Sequence, residues 1–196
     1  MMYKTTLLAI LLCIIAATDA QNNNEYFYSQ WYNSSSCSPS ELGEIDIVMT
    51  DYCLMDYDYH SSQVSCQSDQ QAVRVDFGDS ECKNSKDKET ITLNQCDEMG
   101  GNSMQASCAN STQVEQMIKG MTVISFYSQG YCSGTLFKMI ASPDTVCFDY
   151  MKTNMKCVNG LLYQSSCKDK LCDDCGEFQQ VEPFCLRPDG IYFGCP

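Results

Sequence analysis

The sequence has very little histidine, which most nucleophilic and metal-dependent sites require. His60 is the only histidine in 196 residues. A Ser-His-Asp or Cys-His device would have to use it, and no G-x-S-x-G nucleophile elbow is present. Most histidine-based metal sites need two or three imidazoles. We therefore predict no catalytic residue and no metal or cofactor at His60, and interpret it as a solvent-facing strand or loop residue.

Basic residues are also scarce. The chain carries 12 Lys and Arg against 25 Asp and Glu, a formal net charge of -13. Nucleic acids and anionic lipids both favour positively charged partners, so neither is expected to bind. A basic partner, divalent cations or simple solubility could explain the acidity. No carboxylate cluster has full metal-ligand spacing, and the sequence predicts no cofactor.

Long hydrophobic runs are missing after the first twenty residues. The segment MMYKTTLLAILLCIIAATDA has one lysine, an apolar run from Leu7 to Ala17, and small residues at Thr18-Asp19-Ala20. This pattern is typical of a secretory signal, with the mature chain starting at Gln21. The run is too short to span a membrane, and the C-terminal FCLRPDGIYFGCP has no lipid-anchor or retention motif. We expect a secreted, extracellular chain without membrane insertion.

Cysteine, in contrast, is abundant. The chain has 15 cysteines, and removal of the signal with Cys13 leaves an even number in an oxidising compartment. Seven disulfides are therefore expected. Aliphatic residues are sparse, so these links should supply much of the stability. In the chain-entropy treatment, a link that closes about 15 residues contributes about 3 kcal/mol.

The cysteines indicate an internal repeat. The segments NEYFYSQWYNSSSC (24–37) and VISFYSQGYC (123–132) both place FYSQ before a cysteine. Aligning them puts two series in step and leaves Cys172 and Cys195 unmatched. The first series is Cys37, Cys53, Cys66, Cys82, Cys96 and Cys108; the second is Cys132, Cys147, Cys157, Cys167, Cys175 and Cys185. This predicts a duplication with repeats at 21–120 and 121–196, after a signal at 1–20.

Each repeat divides again into two units, in which a short strand leads to a cysteine and a polar loop. The four predicted strands are YFYSQWY, AVRVDF, VISFY and GLLY, favoured by β-branched and aromatic residues and by period-two patterning. The segments SPSELGE, KNSKDKE and SGTL carry turn chemistry. The fold class is therefore mainly β, with two tandem disulfide-stapled units and Greek-key, sandwich-like packing as an option.

Repeat symmetry suggests a pairing rule, which we state as a hypothesis because sequence alone does not establish connectivity. In each unit the first cysteine would bond the second, and the third cysteines of neighbouring units would bond each other. The predicted pairs are Cys37 with Cys53, Cys82 with Cys96, Cys66 with Cys108, Cys132 with Cys147, Cys167 with Cys175, Cys157 with Cys185, and Cys172 with Cys195. Any bond between the two halves would contradict the two-repeat hypothesis.

A helix or a linker is expected between the repeats, near 109–120. In NSTQVEQMIKG, Thr112 and Glu115 have capping-box spacing and Gly120 closes the segment. A helix of two turns and a simple linker both fit this pattern.

The segments FYSQGYCSG, LLYQSSCKD and YNSSSCSPS resemble the small secreted cysteine-rich proteins of free-living amoebae and related protists. This resemblance implies an extracellular or surface role and no known mechanism. A second resemblance is to the βγ-crystallin Greek-key motif. Tyr127, Cys132 and Gly134 match its spacing with cysteine in place of phenylalanine, and Phe77 and Cys82 match it without the glycine.

Members of the βγ-crystallin family often bind calcium through paired acidic or amide residues followed by Ser/Thr-Ser. The nearest segment here is Asp58-Tyr59-His60-Ser61-Ser62, with Tyr57 where the first acidic residue belongs. No calcium site is predicted from it.

The motif CDDC at 172–175 has the spacing of a redox pair or of half a zinc site. Two aspartates between the sulfurs would disfavour a reactive thiolate, and no second CxxC is present. We interpret Cys172 and Cys175 as structural, each bonded to another partner.

Three further features could carry function. Tyr57 and Tyr59 alternate with aspartates, so on a strand their rings would share one face and form a stacking surface for sugars or a patch for a basic protein; covering a thin core is the other interpretation. Asn33 and Asn110 begin glycosylation sequons. The many carboxylates leave a hydrolase open, although none is singled out.

Taken together, the sequence predicts a secreted, acidic, non-enzymatic structural or interaction protein of the cell surface, matrix or wall. Its partner would be an extracellular protein or a polysaccharide. The alternatives are a carbohydrate-binding module that uses exposed tyrosines and a small carboxylate-based hydrolase.

Overall fold

The computed structural model describes residues 25–55, 60–148, 151–186 and 189–196. The described chain is mainly β, as predicted, with antiparallel sheets, one short α-helix and a 3-10 helix at Pro39–Glu41. The strands of the first half are β1 (Tyr26–Tyr32), β2 (Leu42–Met49), β3 (Leu54–Met55), β4 (Ser61–Cys66), β5 (Gln71–Phe77), β6 (Ser85–Thr92), β7 (Cys96–Met99) and β8 (Asn102–Ala109). Helix α1 (Ser111–Met117) follows them. Those of the second half are β9 (Thr122–Gln129), β10 (Ser133–Ser142), β11 (Val146–Phe148), β12 (Thr153–Val158), β13 (Leu161–Ser166), β14 (Gln179–Val181), β15 (Phe184–Leu186) and β16 (Ile191–Gly194).

One large sheet joins the two halves. Its eight strands run in the order β15-β16-β9-β10-β2-β1-β8-β7. Each half supplies four strands that are neighbours in the sheet. The halves meet where β10 pairs with β2 in antiparallel register. Asp46 and Ile140 lie opposite each other at this junction. The halves therefore share a continuous backbone hydrogen-bond network.

Two four-stranded sheets, β3-β4-β5-β6 and β11-β12-β13-β14, pack against one face of the large sheet. Cross-strand partners establish that the face is the same, because Phe27 lies opposite Val48, Val48 opposite Lys138, and Lys138 opposite Phe126. In the first half Phe27 packs near Ala72 of the small sheet. In the second half Phe126 packs near Met155. The result is a sandwich of unequal layers.

Helix α1 covers the opposite face of the large sheet. Val114, 2% exposed, packs among Ile45, Ile47 and Met139. Of the helix and the linker that the sequence left open, the helix is present, and the predicted cap at Thr112 lies two residues after the observed one. Asn110 is the N-cap and accepts a hydrogen bond from the Gln113 backbone, while the Gln113 side chain accepts one from the Asn110 backbone. An Asn side chain reaches the free amides of the first turn readily, which explains why the helix starts earlier.

Seven disulfides use all the cysteines beyond the first twenty residues, and none joins the two halves. Two predicted pairs are correct, Cys66–Cys108 and Cys167–Cys175. The other five predictions are wrong, and the bonds found are Cys37–Cys96, Cys53–Cys82, Cys132–Cys185, Cys147–Cys172 and Cys157–Cys195.

The pairing follows the layers and not the chain order. In the first half, β3 to β6 are inserted between β2 and β7 of the large sheet. Cys37–Cys96 therefore links segments of the large sheet, Cys53–Cys82 links the ends of the small sheet, and Cys66–Cys108 ties the two sheets together. The second half repeats this scheme.

The structural repeat also corrects the alignment of the halves. Trp31 lies opposite Glu44 and Met104, and Phe126 lies opposite Lys138 and Ile191 at the matching places. Trp31-Tyr32 is thus equivalent to Phe126-Tyr127, and each tyrosine lies five residues before its cysteine, Cys37 or Cys132. The two FYSQ segments are therefore four residues out of register in the structural alignment. The unmatched bond is Cys167–Cys175, not the predicted Cys172 with Cys195.

Two segments predicted as turns are strands. KNSKDKE leads into β6 from Ser85, and SGTL opens β10 from Ser133. Strand β6 is the exposed edge of its sheet, where lysines and acids discourage pairing with other chains. Its charge reflects that position and not a loop. Within the described part of the chain, no helix is long and apolar enough to cross a membrane.

Candidate binding cleft

A cleft of about 720 Å³ lies between the large sheet and the small sheet of the first half. Its floor comes from β1, β2, β7 and β8, and its roof from β4, β5 and β6. The floor residues include Phe27, Ser29, Trp31, Asp46, Gln95, Asp97, Met104 and Ala106, and the roof residues include Val64, Arg74, Glu89 and Ile91.

The same space in the second half is filled by aromatic side chains. Phe193 is fully buried, with its ring centroid 5.0 Å from the edge-on ring of Phe148. Phe184 stacks on Phe193, also at 5.0 Å. These three rings form a plug between the two sheets of that half.

The equivalent positions of the first half carry no such plug. Ala106 stands in the place of Phe193, because it lies opposite Ser29 as Phe193 lies opposite Ile124. Leu54 corresponds to Phe148, each following the disulfide cysteine that begins the small sheet, and Gln95 corresponds to Phe184, each preceding the cysteine of the edge strand.

Neighbouring positions show the same trend from apolar to polar. Ile124, Ile140 and Leu186 of the second half correspond to Ser29, Asp46 and Asp97 of the first. In the large sheet the strands and their register match at these positions, so smaller and more polar side chains stand on an equivalent backbone there. Full burial of a Phe, Leu or Ile side chain contributes about 1.5–3 kcal/mol. The first half therefore gives up packing energy at these positions.

Trp31 stands at the rim of the cleft. It is 39% exposed and also borders a shallower depression of about 420 Å³ with Asn33, Gly43 and Glu44. Across the large sheet, Glu44, Trp31, Met104 and Asp97 lie side by side on four adjacent strands. We call these four residues the tryptophan row. It has a carboxylate at each end.

Charges inside the cleft are partly paired. Lys138 Nζ lies 3.2 Å from Asp46 Oδ1, with both side chains about one-third exposed. Arg74 Nε lies 2.9 Å from Asp76 Oδ1 and faces Glu89 across the β5–β6 pair. Partial burial raises the pKa of Glu44, the nearby Asp46 raises it further, and Lys138 opposes both effects.

A second feature, missed from the sequence, is a pair of matching loops. Asp79 accepts hydrogen bonds from the backbone amides of Glu81, Lys83 and Asn84 at 2.7–3.1 Å. Asp169 accepts from those of Leu171, Asp173 and Asp174 at 2.9–3.1 Å. Both loops have the pattern Asp-x-x-Cys, and the cysteine has a positive φ of 53° or 59°.

The amide donors of each loop lower the pKa of its aspartate. Both carboxylates accept hydrogen bonds from backbone amides of their own loops, so we interpret these acids as structural.

The CDDC cysteines do not bond each other. Cys172 pairs with Cys147 and Cys175 with Cys167, which confirms the structural interpretation. The sulfurs of Cys167, Cys172 and Cys175 lie within 4.8 Å of one another. Because every one of them is in a disulfide, none is a thiolate ligand for a metal ion in the oxidised protein.

The remaining predicted sites are distributed over the surface. His60 is exposed just before β4. Asn33 is exposed beside Trp31, and Asn110 caps helix α1. Glycosylation of either stays a prediction. Tyr57 and Tyr59 lie outside the described residues, so the tyrosine surface stays a prediction.

Comparisons with protein families, with curated proteins and with solved structures found no match.

Proposed function

We propose that this protein is an extracellular binding module in which the first half holds a ligand and the second half is the scaffold. Disulfides in every layer and the mainly β fold suit an oxidising extracellular environment. The role is non-enzymatic. The partner is an extracellular molecule, as expected from the sequence.

The observation that carries this proposal is the missing aromatic plug. Two equivalent spaces over the same strand register of the large sheet differ in that one is packed by Phe193 and its neighbours and the other is open around Ala106. Concave sites with mixed apolar and polar lining are where proteins bind small ligands. A binding role accounts for the loss of packing energy in the first half.

The test is to close the cleft with the residues of the second half. The variant Ser29→Ile/Ala106→Phe is screened with the wild type against immobilised glycans and a displayed peptide library. We expect a ligand that binds the wild type and is lost from the filled variant, while the disulfide map is unchanged. Ser166→Ile, an exposed change on β13, is the control and should keep binding.

The proposal is wrong if the filled variant binds every ligand as the wild type does, or if neither library contains a ligand for the wild type. A thermal unfolding curve with one transition is needed for the filled variant, since an unfolded variant would lose binding trivially. Single variants Ser29→Ile and Ala106→Phe replace the double change if it does not fold.

A carboxylate-based hydrolase is the second candidate, favoured by one observation. The pKa of Glu44 is raised beside Asp46, and a raised pKa is what a general acid requires. Release of reducing ends from oligosaccharides, abolished by Glu44→Gln, would support it. Absence of hydrolysis with bound oligosaccharide would leave binding as the function.

A further inference from the structure

We propose that the cleft binds a carbohydrate without acidic groups, with one sugar ring stacked on Trp31. This inference rests on the proposed binding function and adds the class of ligand. It moves the sugar-binding surface from the predicted tyrosines to a tryptophan that the sequence analysis did not single out.

The first argument is the position of Trp31. Its indole lines both the cleft and the adjoining depression, and it keeps 39% of its surface exposed. The equivalent residue of the second half, Phe126, packs against that half's core. An indole that is held by a sheet and open at one side offers a flat apolar surface, which matches the apolar C–H face of a pyranose ring.

The second argument is the ring of polar groups around that surface. A sugar presents hydroxyl donors at its edges, and carboxylates accept hydrogen bonds from them strongly. Glu44 and Asp97 lie to the two sides of Trp31, and Ser29, Asp46 and Gln95 lie on the next row of the floor. Aromatic surface and hydroxyl acceptors thus occur together.

The third argument is charge. The cleft lining has three carboxylates, Asp46, Glu89 and Asp97, against two cations, Arg74 and Lys138, and each cation already lies near a carboxylate. Glu44 adds a further carboxylate beside Trp31, and the chain has a net charge of -13. Sialylated, uronic-acid or sulfated glycans would face repulsion at close range. Neutral sugars and amino sugars would not, and an ammonium group would gain from the carboxylates.

Other ligand classes fit this cleft less well. A lipid chain would gain most from an apolar floor, and the first half has Ser29, Asp46 and Asp97 where the second has Ile124, Ile140 and Leu186. A peptide bound by strand addition needs a free strand edge, and the edge strands of more than two residues that line the cleft are β6 and β7. Strand β6 carries lysines and acids and β7 carries Asp97 and Glu98, and such charges discourage strand pairing.

The experiment uses Trp31 as its own reporter, because it is the only tryptophan in the chain. Fluorescence of the full protein is titrated with neutral, amino and acidic oligosaccharides, and quenching by acrylamide is measured with and without each sugar. We expect a saturable spectral change and protection from acrylamide with a neutral or amino sugar only.

Substitutions then separate stacking from folding. Trp31→Ala should weaken glycan binding at least about tenfold, in line with the energies of aromatic hot spots. Trp31→Phe, which copies Phe126, should recover part of it. Both variants need glycan binding measured by an array or by calorimetry, since they lack the fluorophore. Asn33→Gln removes the sequon beside Trp31, so that a glycan attached there does not occupy the cleft.

Each outcome decides between the two proposals. Binding of acidic glycans, or full binding by Trp31→Ala, would overturn the carbohydrate inference. Peptides that bind the wild type but not the filled variant, with no glycan bound, would overturn it and leave the binding function standing. No ligand of either kind would overturn both.

Discussion

At the scale of single residues, the two halves differ most where a large apolar side chain of the second half faces a small or polar one of the first. Phe193 against Ala106 and Ile140 against Asp46 are the clearest cases. Ile140 and Asp46 are also partners across the junction, so the approximate twofold axis that relates the halves passes through this pair. The two halves therefore differ in side chain even at the residue pair through which this axis passes.

The plug should dominate the stability of the second half. Phe193→Ala is expected to lower the free energy of unfolding by about 3–5 kcal/mol, because a fully buried ring leaves a cavity. Denaturant unfolding with the disulfides intact measures it. Leu171→Ala, at a side chain that is 77% exposed, is the control and should change little. A loss below about 1 kcal/mol for Phe193→Ala would show that the plug is not tightly packed.

Glu44 should make stability depend on pH. Its folded pKa is raised from the ordinary 4.5, chiefly by partial burial, so just above pH 4.5 the native state binds more protons than the unfolded state. The free energy of unfolding should then fall as pH rises above 4.5. Glu44→Gln should match the wild type at lower pH and become the more stable protein at neutral pH.

Thermal unfolding of both proteins from about pH 3 to pH 8 measures this difference. Glu177→Gln, an exposed glutamate on the second half, serves as the control for general charge effects. A difference that stays constant with pH, or that grows as pH falls, would contradict the argument.

At the scale of elements, the repeated Asp-x-x-Cys loops show how one short pattern sets a local structure. The aspartate collects three backbone amides, and the loop then delivers its cysteine in the left-handed region to the disulfide of the small sheet. The pattern is visible in the sequence as DSEC and DKLC. It was missed because the alignment based on FYSQ placed Cys82 against Cys167.

Removal of the loop aspartates should reduce the protection from hydrogen exchange of the backbone amides that donate hydrogen bonds to them. Asp79→Ala should speed hydrogen exchange at Glu81, Lys83 and Asn84, and Asp79→Asn should retain part of the protection. The lowered pKa means that the carboxylate's contribution is present above 3.8 and is lost as pH falls below it.

Asp169→Ala serves as the matched variant, with the effect expected at Leu171, Asp173 and Asp174 and not in the first loop. Unchanged exchange in both loops would show that the disulfides alone hold them.

At the scale of the whole molecule, the disulfides form the same connectivity twice, with one extra bond in the second half. Numbered along each half without the extra pair, the first cysteine bonds the fifth, the second the fourth, and the third the sixth. No bond crosses between the halves, which are joined by the β2–β10 pairing and the apolar cluster under helix α1.

The extra bond should matter less than its neighbours. Cys167–Cys175 spans 8 residues and Cys66–Cys108 spans 42. Chain entropy gives about 2.5 and about 4 kcal/mol for these loops. The double variant Cys167→Ser/Cys175→Ser should therefore lower the unfolding midpoint less than Cys66→Ser/Cys108→Ser, which also unties the two sheets. A non-reducing peptide map confirms the other six bonds, and the opposite order of midpoints would contradict the prediction.

The sequence by itself determined the β class, the four strands it singled out and the use of every cysteine after the first twenty residues in a disulfide. It also indicated the short helix, with a linker as the alternative. These features depend on local alternation, on capping residues and on counting thiols. The secretory signal and the glycans remain predictions.

Only the tertiary structure decided which cysteines pair, how the repeats align and where the cleft lies. The small sheets are inserted between strands of the large sheet, so residues far apart in the chain meet and nearest cysteines do not. The cleft exists because Ala106, Gln95 and Ser29, distant in sequence, face one space that Phe193, Phe184 and Ile124 fill in the other half. No local sequence pattern shows which residues of the two halves are equivalent, because this depends on the strand register in each half.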